Sequence, residues 1–252
     1  MSYTMLLYKN VVALSRDDHF NLKLQGTDNY EFASHVHWLP VSGKEFFMVA
    51  KSYPIVFVSE GEGADEKVTA IVLTGLEKGM NAYVQDDMRW RPDVYIPAFI
   101  RRYPFVLATS DTEENELMVC FDAGYAGFNE YEGRPLFDEN GNETELLTGA
   151  VQFMGEYNND LMQTRQFVEE LHSLGLLEKR SVEIRGAGGA TFQINDIMVV
   201  SEEKFAALSA EEVKRMQLNG SLGWIYAHFM SLSNLPVLLD LHLQKKGAAP
   251  AA

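Results

Sequence analysis

Two stretches of the chain carry nearly the same order of apolar clusters and breaks. "FFMVAKSYPIVFVS", Phe46 to Ser59, runs a short apolar helix-like cluster into Tyr-Pro and then an unbroken apolar run, and "AFIRRYPFVLATS", Ala98 to Ser110, does so again. A residue before proline is pushed out of the helical region, so both helices must end by the tyrosine, and proline is tolerated at the first position of the strand that follows. Ser42 with Glu45 three residues on has the spacing of a capping box, and Pro97 suits a first helical turn. "PIVFV" lacks alternation and reads as a strand buried on both faces. "KVTAIVLTGL", Lys67 to Leu76, follows the acidic loop "SEGEGADE", and "NAYVQDDMRW" is expected to continue the sheet through a turn at Lys78 and Gly79. In the second copy "PFVLATS" and "ELMVCFDA" flank the acidic turn "SDTEEN". The expectation is that each phrase delivers one helix-to-strand corner onto the same sheet, by internal repeat or by convergence.

Elsewhere the periodicity changes. "MLLYKNVVAL" has strand or short-helix character, and "HFNLKL" alternates as an exposed strand does. From about Glu143, the positions Leu147, Val151, Met154, Leu161, Val168 and Leu171 recur at helical spacing, which predicts a long helix closed by Gly175 and weakened at Gly155 and Asn158-Asn159. "SVEIRGAGGATFQINDIMVV" reads as a hairpin. Ser209 with Glu212 opens helices that run to about Lys245. Leu222 to Leu239 holds no Asp, Glu, Lys or Arg, yet its polar residues and the spacing of Leu218, Leu222, Ile225, Phe229 and Leu232 favour a buried amphipathic helix over an integral membrane span. The predicted fold class is α/β of the mixed α+β kind, a largely antiparallel sheet packed by a long central helix and C-terminal helices. It is read as a single domain, 1–252, or as a sheet-rich lobe 1–140 and a helix-rich lobe 141–246 with a disordered tail 247–252.

Composition changes the picture in two respects. The 252 residues carry 36 acidic and 21 basic side chains, and a net charge of -15 argues against nucleic acid and anionic membrane surfaces as partners. The single cysteine, Cys120, sits in apolar "LMVCFDA" and is expected in the core. The first residues lack a basic segment ahead of an apolar stretch with a cleavage site, which points to a cytoplasmic protein.

Familiar catalytic patterns do not assemble. "RGAGGATF" misses both phosphate-loop spacings and suits a hairpin turn, and "DENGNETE" places Gly141 fourth where a calcium loop needs glycine sixth. The histidines are His19, His35, His37, His172, His228 and His242. His35 and His37 could share a strand face, without further ligands at a recognisable spacing. No cofactor or metal is expected.

The chemical anomaly is "MRWRPDVYIPAFIRRYPF", Met88 to Phe105, which holds four of the ten arginines: Arg89, Arg91, Arg101 and Arg102. Trp90, Tyr95, Phe99 and Tyr103 interleave with them, and arginine beside aromatic rings binds carboxylate or phosphate bidentately while stacking. The same guanidinium groups could instead be held by the chain's own acids, or suit the end of a helix.

"SYPIVFV", "RWRPDVYIPAFIRRYPFVLA", "FMGEYNNDLMQTRQFVEELHSLGLLEK" and "GSLGWIYAHFMSLSNL", with "DDHFNLKL" and its His19 near the start, together resemble the SapC family of bacterial proteins. The resemblance spans nearly the whole chain in order. It implies association with surface-layer protein export, with members also linked to outer-membrane nutrient uptake and to halogenase or cupin-type oxygenase neighbours, and it carries no agreed catalytic residues. The expected function is that of a non-catalytic accessory protein binding a polypeptide partner or an anionic small molecule. Arg89, Trp90, Arg91, Tyr95, Arg101, Arg102, Tyr103 and His19 are the expected contact residues. The rivals are an enzyme or enzyme partner using His19 or a tyrosine as acid or base, and a homodimer joined through the arginine face.

Overall fold

Two strands with no polar alternation, and therefore two buried faces, mark the centre of the molecule. In the computed structural model, which describes residues 6–61, 67–109, 117–186 and 189–247, Ile55, Val56 and Phe57 are each fully buried. In chain order the strands are β1 (Val11–Ala13), β2 (Lys23–Leu24), β3 (Trp38–Pro40), β4 (Ile55–Glu60), β5 (Lys67–Leu73), β6 (Phe105–Thr109), β7 (Leu117–Asp122), β8 (Phe128–Asn129), β9 (Arg134–Pro135), β10 (Leu177–Arg185) and β11 (Thr191–Val200). The helices are α1 (Arg16–His19), α2 (Phe46–Val49), α3 (Ala98–Arg101), α4 (Glu145–Ser173), α5 (Glu202–Ala206), α6 (Ala210–Asn219), α7 (Ser221–Ser231) and α8 (Leu235–Lys245).

The strands form three antiparallel sheets, ordered β10-β11-β4-β5-β3, β1-β7-β6 and β8-β2-β9. This corrects the expectation that both Tyr-Pro phrases feed one sheet: β4 is central in the five-stranded sheet, while β6 is an edge of a three-stranded one. An apolar run specifies a strand but not its neighbour. Here the hairpin partner of β6, β7, takes the N-terminal β1 on its other side, with Val11 opposite Asp122. The five-stranded sheet combines strands from both ends of the sequence, since Met198 of β11 pairs with Phe57 of β4.

Other expectations change in detail. "NAYVQDDMRW" does not extend the sheet; it makes only a single bridge between Val84 and Trp90, and the chain turns through Met88 at φ 64°. Of "HFNLKL" only Lys23 and Leu24 are strand, and His19 ends α1. His35 lies in a turn before β3, so no shared strand face joins it to His37. The tips "SDTEEN" and most of "SEGEGADE", and the tail beyond Gly247, lie outside the described residues.

The long helix α4 forms through Gly155 and Asn158-Asn159 because packing outweighs their low propensity. Gly175, at φ +65°, closes it: its amide reaches the His172 carbonyl at 2.9 Å and the Leu176 amide reaches the Leu171 carbonyl at 2.9 Å. One end of α4 buries Leu147 and Met154 with Phe105, Phe121, Leu136 and Phe137. The other places Phe167, Val168 and Leu171 in the larger core with Phe46, Ile55 and Phe57. Each such fully buried side chain contributes about 1.5–3 kcal/mol.

The helices expected after Ser209 are α6, α7 and α8, and the stretch read as one buried amphipathic helix, Leu218 to Leu239, is divided among them. Gly220, at φ +87°, ends α6, so Leu218 falls outside the buried stripe and is 79% exposed. A 3-10 turn at Leu232–Asn234 then joins α7 to α8. Ser221–Lys245 is long and apolar enough to cross a membrane by length and composition. One face of this run, including Ile225, His228, Leu238 and Leu239, is buried, while Tyr226, Met230 and Val237 are exposed.

Candidate functional site

The segment Met88 to Phe105 is wrapped onto the first Tyr-Pro corner. Trp90 is buried, and its indole donates to the Tyr53 hydroxyl at 3.0 Å; that hydroxyl in turn donates to the Tyr95 carbonyl at 2.7 Å. Pro97 precedes α3 in an extended conformation and has no side chain to cap it. The capping oxygen comes from Glu45 instead. Its buried carboxylate accepts the Ala98 amide at 2.7 Å and the Tyr95 hydroxyl at 2.9 Å through Oε1, and the Ser42 hydroxyl at 3.1 Å through Oε2. The capping box read at Ser42 is therefore not formed. Its spacing is right, but the two side chains meet each other and Glu45 serves a helix 53 residues further on.

Successive arginines at the end of α3 then diverge. The Arg101 side chain is 43% exposed; its Nε donates to the Ile96 carbonyl at 3.0 Å and its Nη2 to the Tyr95 hydroxyl at 2.8 Å, with Glu45 Oε1 at 3.8 Å. Its guanidinium lies 5.3 Å from the Tyr95 ring centre and 5.0 Å from that of Phe153. Arg102 turns inward. Its guanidinium lies 4.2 Å from the Phe99 ring centre, 5.6 Å from Tyr157 and 5.9 Å from Tyr8. Its Nε and Nη2, like the Tyr157 hydroxyl, are buried with no hydrogen-bond partner among the described residues. Phe153 and Tyr157 are one turn apart on α4, so a single helix face receives both guanidinium groups.

The remaining predicted residues scatter. Arg89 is 67% exposed and 4.0 Å from Asp87; Arg91 is half-buried, and its amide donates to the Tyr83 carbonyl. Tyr103 stacks on Phe32 at 3.8 Å and donates to Asp122 Oδ2 at 3.1 Å. His19 meets its own N-cap residue, Ser15, and the edge of Phe121, and takes no part in the Glu45 network. The four arginines thus do not form one face, because each direction is set by where α3 and its preceding loop dock.

The sequence pattern gives Glu45 only a capping-box role and does not single out Asp122. Besides Glu45, Asp122 is fully buried and accepts the amides of Lys9, Asn10 and Gly124 at 2.9–3.0 Å as well as Tyr103. Burial pushes its carboxyl up, but these four donors outweigh burial and hold it below the ordinary value. Gly124 two residues after Asp122 was the available signal, a turn spacing at the end of an apolar run. Burial and the Glu45 charge push the Tyr95 hydroxyl up to about 12, against the pull of Arg101. Tyr103 is raised by burial and by Asp122.

His228 belongs to the first corner. It is fully buried, accepts the Val200 amide at Nε2 and donates from Nδ1 to the Ile55 carbonyl, which fixes the neutral tautomer; burial pushes it down to about 4. Among the described residues no three His, Cys, Asp or Glu side chains gather as a metal site.

A model of the SapC family matches residues 14–238. No curated protein and no solved structure matches the chain.

Proposed function

The chain belongs to the SapC family, and from that premise we propose that it is a non-catalytic accessory protein that binds an anionic group, a carboxylate or phosphate on a polypeptide or small molecule, at Arg101. The supporting observation is the state of that side chain. Two of its donors are spent on Ile96 and Tyr95, two aromatic rings hold its plane, and almost half of it faces solvent. A guanidinium held in this way loses little freedom when a planar anion arrives, and it keeps N–H groups beyond those given to Ile96 and Tyr95. Arg89 is a second exposed cation on the same segment. Arg102, Trp90 and Tyr103 are framework to the site, since their polar groups or rings face inward. The process served is surface-protein export or nutrient uptake, as the family resemblance implies.

The test is affinity capture from a bacterium that carries this protein, with mass spectrometry of retained proteins and small molecules, using wild type, Arg101→Ala and Arg101→Lys. The expected result is a bound species lost from Arg101→Ala and poorly restored by Arg101→Lys, with unchanged melting. An identical captured set in all three variants contradicts the proposal. A mass that halves on Arg101→Ala would instead assign the surface to a homodimer.

A further inference from the structure

A cleft of about 430 Å³ opens between the β10–β11 hairpin and the C-terminal helices. The strand register slips between Arg180 and Val182, and a bulge bends its strand locally; both residues line the cleft. Ile197 and Val199 of β11 form one wall, and Phe229 and Leu232 the other. Beyond Phe229 the apolar surface continues outward: its ring neighbours Tyr226, which is 57% exposed, and Met230 and Val237 on the same helical run are 57% and 49% exposed. No charged side chain interrupts residues 222–239. The volume suits a few apolar groups; the charged side chains that line it are exposed, and the buried Ser201 hydroxyl already accepts the Lys204 amide, so little is left inside to orient a polar small molecule.

Charge at the mouth is biased. Arg180 and Lys204, the nearby cations, both hold Glu178, at 2.6 and 3.2 Å. Glu202 and Glu203 line the cleft, are exposed and have no ion pair among the described residues. With Glu178 these two cations leave one positive charge against the two negative charges of Glu202 and Glu203, so the mouth is acidic by one charge, on a chain of net charge -15. We propose that this cleft receives the apolar face of a polypeptide segment whose flanks carry lysine or arginine. Apolar side chains fill the groove in the manner of a helix docking in a hydrophobic channel, and the flanking cations meet Glu202 and Glu203. This surface is distinct from the Arg101 site and binds a partner of opposite charge.

The test is fluorescence anisotropy of the full chain with a labelled amphipathic helix of leucine and lysine. Its controls are the same pattern with glutamate for lysine, a lysine peptide with serine for leucine, and phosphatidylcholine vesicles. The leucine–lysine peptide should bind, and Val199→Asp should weaken it by roughly tenfold. Glu202→Lys with Glu203→Lys should weaken it several-fold and flatten its salt dependence, while Arg101→Ala leaves it unchanged. The paired lysine variant changes exposed positions only, so it decides the matter if Val199→Asp fails to fold. Undiminished binding to that paired variant overturns the proposal. So does equal binding of the serine–lysine or leucine–glutamate peptide, or binding to vesicles but not to the peptide.

Discussion

At the first Tyr-Pro corner the chain is held by neutral groups. Tyr53 donates to a carbonyl, Ser231 accepts the Ile55 amide, the Asn234 amide reaches the Ala50 carbonyl, and His228 bridges Ile55 and Val200 as a neutral ring. At the second corner charged side chains join the neutral ones: Tyr8 donates to the Phe105 carbonyl, but Glu45 caps α3, Asp122 anchors Tyr103, and Arg101 and Arg102 straddle the rings of α4. The same apolar phrase is compatible with either chemistry, because the phrase fixes only a short helix, a break and a strand. β4 is central and sealed on both faces, and a neutral network avoids the desolvation of charge there; at the second corner Glu45 and Asp122 are buried as well, but Glu45 accepts from three donors and Asp122 from four, and Arg101 stays 43% exposed.

Glu45 is where the two corners meet, and removing it should break the comparison most severely. Glu45→Ala leaves the Ala98 amide and the Tyr95 and Ser42 hydroxyls without their acceptor, and should cost about 3 kcal/mol in denaturant unfolding. Glu45→Gln, which keeps one acceptor oxygen, should cost less.

Acid separates the corners next. His228 is lowered to about 4 from 6.5, so the unfolded chain takes up its proton first. Stability from this group is complete above pH 6.5 and falls by up to about 3 kcal/mol as pH drops towards 4, measurable as a stability profile against pH. Asp122 is also depressed, so its contribution is complete above the ordinary carboxyl value of 3.8 and is lost only below it. The first corner should thus loosen at milder acidity than the second.

Removing one hydroxyl from each corner sharpens the contrast. Tyr53→Phe strands the buried Trp90 indole N–H and should cost about 2 kcal/mol, whereas Tyr103→Phe removes one of four donors to Asp122 and should cost about 1 kcal/mol, both by chemical denaturation. The smallest effects belong to the arginines. Arg102→Met keeps the stem against Phe99 and deletes a charge with unpartnered nitrogens, so its unfolding free energy should be unchanged or slightly higher; Arg101→Ala should stay within about 1 kcal/mol of wild type.

Locally encoded features were legible in the residues. α4 and its Gly175 stop, the β10–β11 hairpin and the Ser209 capping box all follow from spacings within a few positions. What escaped depends on distant partners. No local pattern announces that β7 chooses β1, that Glu45 caps α3, or that Arg101 stays exposed over Phe153 while Arg102 is drawn inward beside Tyr157. The candidate site was located by composition, since four arginines in an acidic chain are conspicuous. Their division into exposed and internal members required the docking of α4.

Arginine footprinting with phenylglyoxal, read by mass spectrometry on the native protein, tests that division most directly. Arg101 and Arg89 should be modified readily and Arg102, with Nε and Nη2 buried, should be protected until the chain unfolds. Modification of Arg102 at the rate of Arg101 in the folded protein would contradict the account.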